Sequence, residues 1–162
     1  MGTYNEVEGN LITLAREGHF DAIAHGCNCF CTQKKGLATQ MVAAFATDTY
    51  PMEAKEYKGD VNKIGQIEAM RFVLDARSSP KTSFLDVVNA YTQFGYGNPK
   101  GDIDYEALTL VMRKLASRYF QKRVGLPQIG AGLAGGDWNR IKEIIQKELA
   151  PYCDVTVVIY KQ

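Results

Sequence analysis

Strand-like and helix-like segments alternate along the whole chain, and that alternation leaves few folds open. TYNEVEG (residues 3–9) reads as a first strand, followed by a short helical piece, LITLARE (11–17). FDAIAHGCN (20–28) begins as a buried strand on Ala22, Ile23 and Ala24. From Leu37 to about Tyr57 the pattern is mainly helical, with Met41, Val42 and Phe45 on one side and a break at Pro51. IGQIEAMRFVLDA (64–76) reads as one or two strands and FLDVVNAYTQ (84–93) as a central one. Asp104 is a good N-cap for a helix on which Tyr105, Leu108, Val111, Met112, Leu115 and Tyr119 recur at helical spacing. RVGLPQI (123–129) is a short strand, and Asp137 to Leu149 form an amphipathic helix with Ile141, Ile144, Ile145 and Leu149 along one stripe. DVTVVIY (154–160) is a buried closing strand. Such alternation predicts a layered α/β domain with a largely parallel central sheet. The 162 residues, with no repeats or linker, suit one domain spanning 1–162.

In parallel sheets, ligands bind where strands end and loops enter helices. Two loops hold that position: HGCNCFCTQKKGLA, starting at His25, and PQIGAGLAGGDW, starting at Pro127.

The first loop begins with His25, Cys27, Cys29 and Cys31 at every second position, which raises the question of a metal site. In an extended strand these side chains are about 6.6 Å apart per step. Two sulfurs on one zinc are at most about 4.6 Å apart, so a straight strand cannot bring neighbours together on one ion. The redox spacing Cys-x-x-Cys is absent, and Cys153 stands far from the rest. The expectation is no metal, with all four cysteines as small apolar side chains. Asn28 is then the informative residue. Its amide can donate and accept at once, as a sugar diol requires, or it can cap its own turn.

In the second loop, Gly130, Gly132, Gly135 and Gly136 lie directly ahead of a helix. Glycines let backbone N–H groups approach an anion closely, and the helix N-terminus adds partial positive charge. The loop is not a Walker loop, because no Gly-Lys-Ser/Thr follows, and it lies too late in the chain for the usual dinucleotide fingerprint.

A net charge of +1 gives no sign of general nucleic-acid binding. No apolar run is long enough to span a bilayer, and the N-terminal residues lack the basic and apolar regions of a signal peptide. The expectation is a cytoplasmic protein with reduced thiols and no membrane partner.

With these loops in view, the chain resembles a macro domain, an ADP-ribose-binding α/β module, over nearly its whole length. EGNLI is similar to the family's opening Gly-Asp-Ile-Thr, and AHGCN stands where many members have Val-Asn-Ala-Ala-Asn. GLATQM leads into the first long helix as in the family. VVNAYTQFGYG, DYEAL and LPQIGAGLAGGDW resemble the bacterial and phage branch that is similar to yeast ADP-ribose-1″-phosphate phosphatase. The resemblance implies a three-layer α/β/α fold with a mixed, largely parallel sheet. It implies ADP-ribose or ADP-ribose 1″-phosphate as ligand, and no cofactor.

By position, the resemblance implies that Asn10 replaces the family's adenine-reading aspartate and that Leu11 follows it against the base. Asn28 faces the distal ribose. Lys35, Gly36, Leu37 and Ala38 line the ligand from the first loop. Gln128, Ile129, Gly130, Ala131, Gly132, Leu133, Ala134 and Gly135 wrap the diphosphate and distal ribose. Tyr160 packs on adenine or is an ordinary strand-end tyrosine. Lys34 and Lys35 replace glycines of the family and either narrow the distal site, reach a terminal phosphate, or are solvated.

The implied reaction is hydrolysis of ADP-ribose 1″-phosphate. In it, Asn28 fixes the ribose and His25 protonates the leaving oxygen or orients water, and Asp137 is the candidate base. The plainer readings are a buried histidine bonded to backbone and an aspartate that caps its helix. A non-catalytic ADP-ribose reader and an ADP-ribosyl hydrolase acting on modified protein or nucleic acid are the alternatives. The family's lysine nucleophile is missing from NAYTQ, which counts against that one chemistry.

Overall fold

The computed structural model describes residues 2–50, 58–74 and 84–161. A six-stranded sheet runs in the order β1-β6-β5-β2-β4-β3, formed by β1 (Thr3–Gly9), β2 (Ala22–Asn28), β3 (Ile67–Val73), β4 (Phe84–Gln93), β5 (Arg123–Leu126) and β6 (Asp154–Tyr160). All neighbouring pairs are parallel except β3 with β4. The sheet is therefore mixed and largely parallel.

Helices cover both faces. On one side α3 (Tyr105–Arg118) and α4 (Trp138–Glu148) bury Leu108, Val111, Met112, Leu115, Ile141 and Ile145 against Ala22, Ala24, Val88, Val155 and Val157. On the other, α1 (Leu11–Arg16) and α2 (Leu37–Phe45) bury Leu11, Ile12, Ala15, Met41 and Phe45 against Ile23, Leu85, Val87 and Val158. Alternate residues of β2 and β4 thus go to opposite cores, the two-residue period expected of strands covered on both faces. The result is the three-layer α/β/α architecture.

β4 is buried from Leu85 to Thr92 and still carries three polar side chains. Asp86 is held by Arg71 Nε at 2.8 Å and by the Tyr119 hydroxyl at 2.9 Å. Asn89 serves the candidate site described below. β1, in contrast, is mostly exposed, because its only sheet neighbour is β6.

The first long helix ends earlier than its pattern suggests. α2 stops at Phe45, Ala46 takes the left-handed conformation (φ 52°), and a 3-10 turn follows over Thr47–Thr49. The cause is Thr47, which is fully buried and hydrogen-bonds with Gln33 and Asn89 in the interior. Helical geometry at Ala46 would carry Thr47 away from those partners. The expected break at Pro51 and the ends of the helix near Tyr57 and of the strand near Ala76 lie outside the described residues. Among the described residues, no helix is long and apolar enough to cross a membrane.

Candidate functional site

The parallel pairing of β2 with β4 and β5 puts the C-terminal ends of these strands on one edge of the sheet. The loops that leave them meet around a cavity of about 660 Å³. β2 supplies His25, Gly26, Cys27 and Asn28, and the first loop with the start of α2 supplies Thr32 to Ala38. The second loop contributes Pro127, Gln128, Ile129, Gly130, Gly132, Leu133 and Ala134. A third wall comes from the last residue of β4 and the segment after it: Gln93, Tyr96, Gly97 and Asp102.

His25 is 2% exposed, and its Nε2 lies 2.8 Å from Asn89 Oδ1. Asn89 Nδ2 donates to the Thr47 carbonyl at 2.8 Å, so its amide oxygen faces the ring. That arrangement sets the proton on His25 Nε2 and leaves Nδ1 as the acceptor. Burial disfavours the imidazolium and, against a smaller opposing effect of the Asn89 bond, brings the His25 pKa down to about 4. The ring is neutral at pH 7 and is no proton donor there. Its interior partner is a side-chain amide rather than the backbone.

The register between β2 and β4 shifts after Cys27, which pairs with Tyr91 while Asn28 pairs with Gln93. The bulge ends β2 and starts a tight turn governed by Asn28. Asn28 Oδ1 accepts from the N–H groups of Phe30 (2.9 Å) and Thr32 (3.2 Å), and Nδ2 donates to the Thr32 carbonyl at 3.1 Å. The residue is thus both the turn's organiser and a wall of the cavity, with one amide hydrogen left over. Gly36, at φ 60° and ψ −142°, begins α2 without a side-chain cap, so the first-turn N–H groups of that helix border the cavity uncapped. Lys34 and Lys35 are exposed at the rim.

The turn also aims the cysteine sulfurs at different polar partners, while Cys27 and Cys31 share one small buried cluster with Tyr91. Cys27 Sγ lies 3.5 Å from His25 Nε2, Cys29 Sγ points to the Gln93 carbonyl at 3.6 Å, and Cys31 Sγ meets Lys63 Nζ at 2.9 Å. All four cysteines are buried, and none is in a disulfide. Among the described residues no group of three or more His, Cys, Asp or Glu side chains converges as a metal site. Burial pushes the Cys153 thiol up to about 11, which keeps it protonated and inert.

The second loop folds on itself through Ala131 N–H to the Gln128 carbonyl, Gly135 N–H to Gly132 and Gly136 N–H to Gly130. Gly130 requires its type: φ is +76°, and a Cβ there would lie 2.7 Å from Ile103 Cδ1. Among the described residues, the N–H groups of Gly130, Gly132, Leu133 and Ala134 have no hydrogen-bond partner. All four residues line the cavity.

Twelve of the expected residues thus share one cavity: His25, Asn28, Lys35, Gly36, Leu37, Ala38, Gln128, Ile129, Gly130, Gly132, Leu133 and Ala134. Six lie outside its lining. Ala131 packs against the α3/α4 core, and Gly135 sits against Gly101. Asp137 is the N-cap of α4: its carboxylate accepts from Asn139 N–H at 3.0 Å, and its own N–H donates to the Tyr105 hydroxyl. Asn10 caps α1 by accepting from Ile12 and Thr13 N–H at 3.0 and 3.1 Å, and Leu11 is buried beneath that turn. Tyr160 is exposed at the end of β6, paired in register with Gly9. Asn10, Leu11 and Tyr160 stand at the same sheet edge as the cavity, beyond β5, because β1 and β6 run parallel to β5, β2 and β4.

The sequence reading names two loops; Gln93, Tyr96, Gly97 and Asp102 belong to a third. The signal for it was present. QFGYGNPKGDID is rich in glycine directly after a buried strand, the position where strand-end loops gather ligands. Asn89 had no such signal, since its role depends on the β2–β4 register.

No protein-family model matches the chain. It is 31% identical over 143 residues, covering 86% of this chain and 85% of the relative, to an uncharacterized 17.5 kDa protein of the tk–vs intergenic region of Enterobacteria phage T4. Among solved structures, the macrodomain of Thermus aquaticus DarG is similar over the full length of both chains (TM-score 0.62, 22% identity). Thermosipho africanus DarTG, whose structure is a complex with ADP-ribose, matches 98% of this chain over 42% of its own length (TM-score 0.77, 17% identity). The chain therefore belongs to the family of the phage T4 tk–vs 17.5 kDa protein and has the macrodomain fold.

Proposed function

We propose that the protein binds ADP-ribose in this cavity and hydrolyses ADP-ribose 1″-phosphate to ADP-ribose and phosphate. The observation that carries the reading is the set of unpartnered N–H groups at Gly130, Gly132, Leu133 and Ala134 on one cavity wall. Gly130 is half-buried and Ala134 buried, so their unpartnered amides are costly, and a diphosphate satisfies them together with the exposed amides of Gly132 and Leu133. The uncapped start of α2 opposite adds favourable potential for an anion. A volume of about 660 Å³ falls within the usual range for a small-molecule site. The Thermosipho africanus neighbour of the same fold is itself a complex with ADP-ribose.

In this reading the remaining Asn28 amide hydrogen binds the distal ribose and holds its 1″-phosphate beside the first loop. Lys34 and Lys35, mobile point charges, reach that phosphate from the rim. Neutral His25 orients water rather than donating a proton. Asp102 is the carboxylate at the cavity and serves as base, while Asp137 keeps its cap. Adenine extends over the ends of β1 and β6, between Asn10 and Tyr160. Water supplies the oxygen that phosphate removal requires, and the reaction continues with EDTA present. A cytoplasmic setting, where thiols stay reduced, belongs to the same proposal. Phosphate release from ADP-ribose 1″-phosphate is the test; binding of ADP-ribose without turnover leaves a reader.

A second reading is favoured by the cavity mouth. Tyr96 lines it and is half-exposed, and Phe30 stacks edge-on with Phe94 (5.1 Å) and Tyr96 (6.2 Å). An exposed aromatic group at the distal end suits an ADP-ribosyl hydrolase whose substrate is a modified macromolecule. Release of ADP-ribose from modified protein or DNA, with ADP-ribose 1″-phosphate left intact, selects this reading.

A further inference from the structure

Beneath the first loop, in the turn that Asn28 organises, lies a buried lysine beside a buried thiol. Lys63, at the end of a 3-10 turn (Val61–Lys63), is 1% exposed, and Cys31 is 4% exposed. Lys63 Nζ is 2.9 Å from Cys31 Sγ and 5.4 Å from the Tyr91 ring centroid. Among the described residues, no carboxylate pairs with Lys63. A buried amine without a carboxylate leans on the nearest polarizable acceptor, and here that is sulfur. The backbone of Cys31 is held at φ +61°, a conformation unfavourable for a residue with a Cβ. The fold keeps this thiol against the lysine in spite of that strain.

We propose that Cys31 and Lys63 form a reversible oxidative cross-link, with hydrogen peroxide or another hydroperoxide as the oxidant. The Cys31 thiolate, held beside the Lys63 ammonium, attacks the peroxide: an S–O bond forms, the O–O bond breaks, and the departing hydroxide takes a proton from the ammonium as water, leaving the amine. The Lys63 amine then attacks the sulfenic sulfur, forming an S–N bond. The S–O bond breaks, and the hydroxide leaves with an amine proton as a second water. One thiol, one amine and one peroxide give the sulfenamide and two waters; sulfur is oxidised by two electrons and peroxide is reduced by two. The short approach makes capture by nitrogen an intramolecular step that outruns further oxidation of sulfur. An excess of small thiol returns both side chains. Thr32 to Gly36 follow Cys31 directly and line the cavity, so the cross-link pins one of its walls to the turn at Lys63.

The test is intact-mass analysis and peptide mapping of the whole chain after hydrogen peroxide treatment and blocking of free thiols. The expected product is lighter by two hydrogens, yields a joined peptide pair containing Cys31 and Lys63, and reverts with dithiothreitol. In Lys63→Met the joined pair is lost and Cys31 gains oxygen instead. Wild-type protein in which Cys31 gains oxygen with Lys63 unmodified overturns the proposal. So does a loss of two hydrogens that maps to a disulfide among Cys27, Cys29 and Cys31. The wild-type result is decisive on its own, whether or not the Lys63 variant folds.

Discussion

Acid should act on this fold through His25. The buried ring holds a proton in the folded chain only near pH 4, whereas the free side chain titrates at 6.5. Between those values the unfolded chain binds a proton that the folded chain does not. Stability therefore rises with pH across this window and is lost as pH falls from 6.5 toward 4. At about 1.36 kcal/mol per pKa unit, the loss attributable to His25 is on the order of 2–3 kcal/mol by pH 4.5. The assay is urea unfolding from pH 7.5 down to about pH 4.5, comparing wild type with His25→Gln. Glutamine keeps an N–H for Asn89 Oδ1 and removes the titration. Carboxylates held below their usual range, such as Asp21 beside Arg123 and Glu148 beside Arg113, act alike in both proteins and cancel in the difference. The expected result is a wild-type curve that falls more steeply below pH 6.5. Parallel curves would refute the neutral, buried histidine and with it the exclusion of His25 as proton donor.

Asn28→Ala removes two acceptor bonds and one donor bond from the first-loop turn and should cost roughly 2–3 kcal/mol by chemical denaturation. Asn28→Asp keeps the two acceptor bonds but sets a carboxylate oxygen against the Thr32 carbonyl, so it should lose about 1–2 kcal/mol and stay folded, yet bind ADP-ribose at least about tenfold more weakly, read by calorimetry, because it lacks the donor and repels the diphosphate. Gly130→Ala places a Cβ 2.7 Å from Ile103 Cδ1 at φ +76°, and a loss of about 1–2 kcal/mol with weaker ligand binding is expected. Asn10→Ala should lower stability by about 1 kcal/mol through the lost cap of α1, measured by thermal unfolding.

How much of this was legible beforehand differs by element. The central strands and the helices α3 and α4 follow from periodicity, because each buries one stripe or both faces and no competing interaction intervenes. The end of α2 was not legible, since it depends on Thr47 reaching Gln33 and Asn89, residues far apart in sequence. The two loops were recognisable from glycine and amide residues at strand ends. The neutral state of His25 was not, because it comes from the near-complete burial of the ring under the packed loops, against the opposing effect of the Asn89 bond. For Asn28, the sequence offered ligand recognition or turn capping as alternatives. The side chain caps its turn and still borders the cavity, so capping does not take the position away from the cavity wall. Asp102 escaped notice because aspartate in a glycine-rich loop has no periodicity to mark it.

The central claim is that the bare amides of the second loop and the turn at Asn28 close around one nucleotide-sugar. Isothermal titration of the purified protein with ADP-ribose tests it most directly. Saturable one-to-one uptake, weakened in Asn28→Asp at unchanged fold, is the predicted result. A flat titration from well-folded wild type, up to millimolar ADP-ribose, would contradict it.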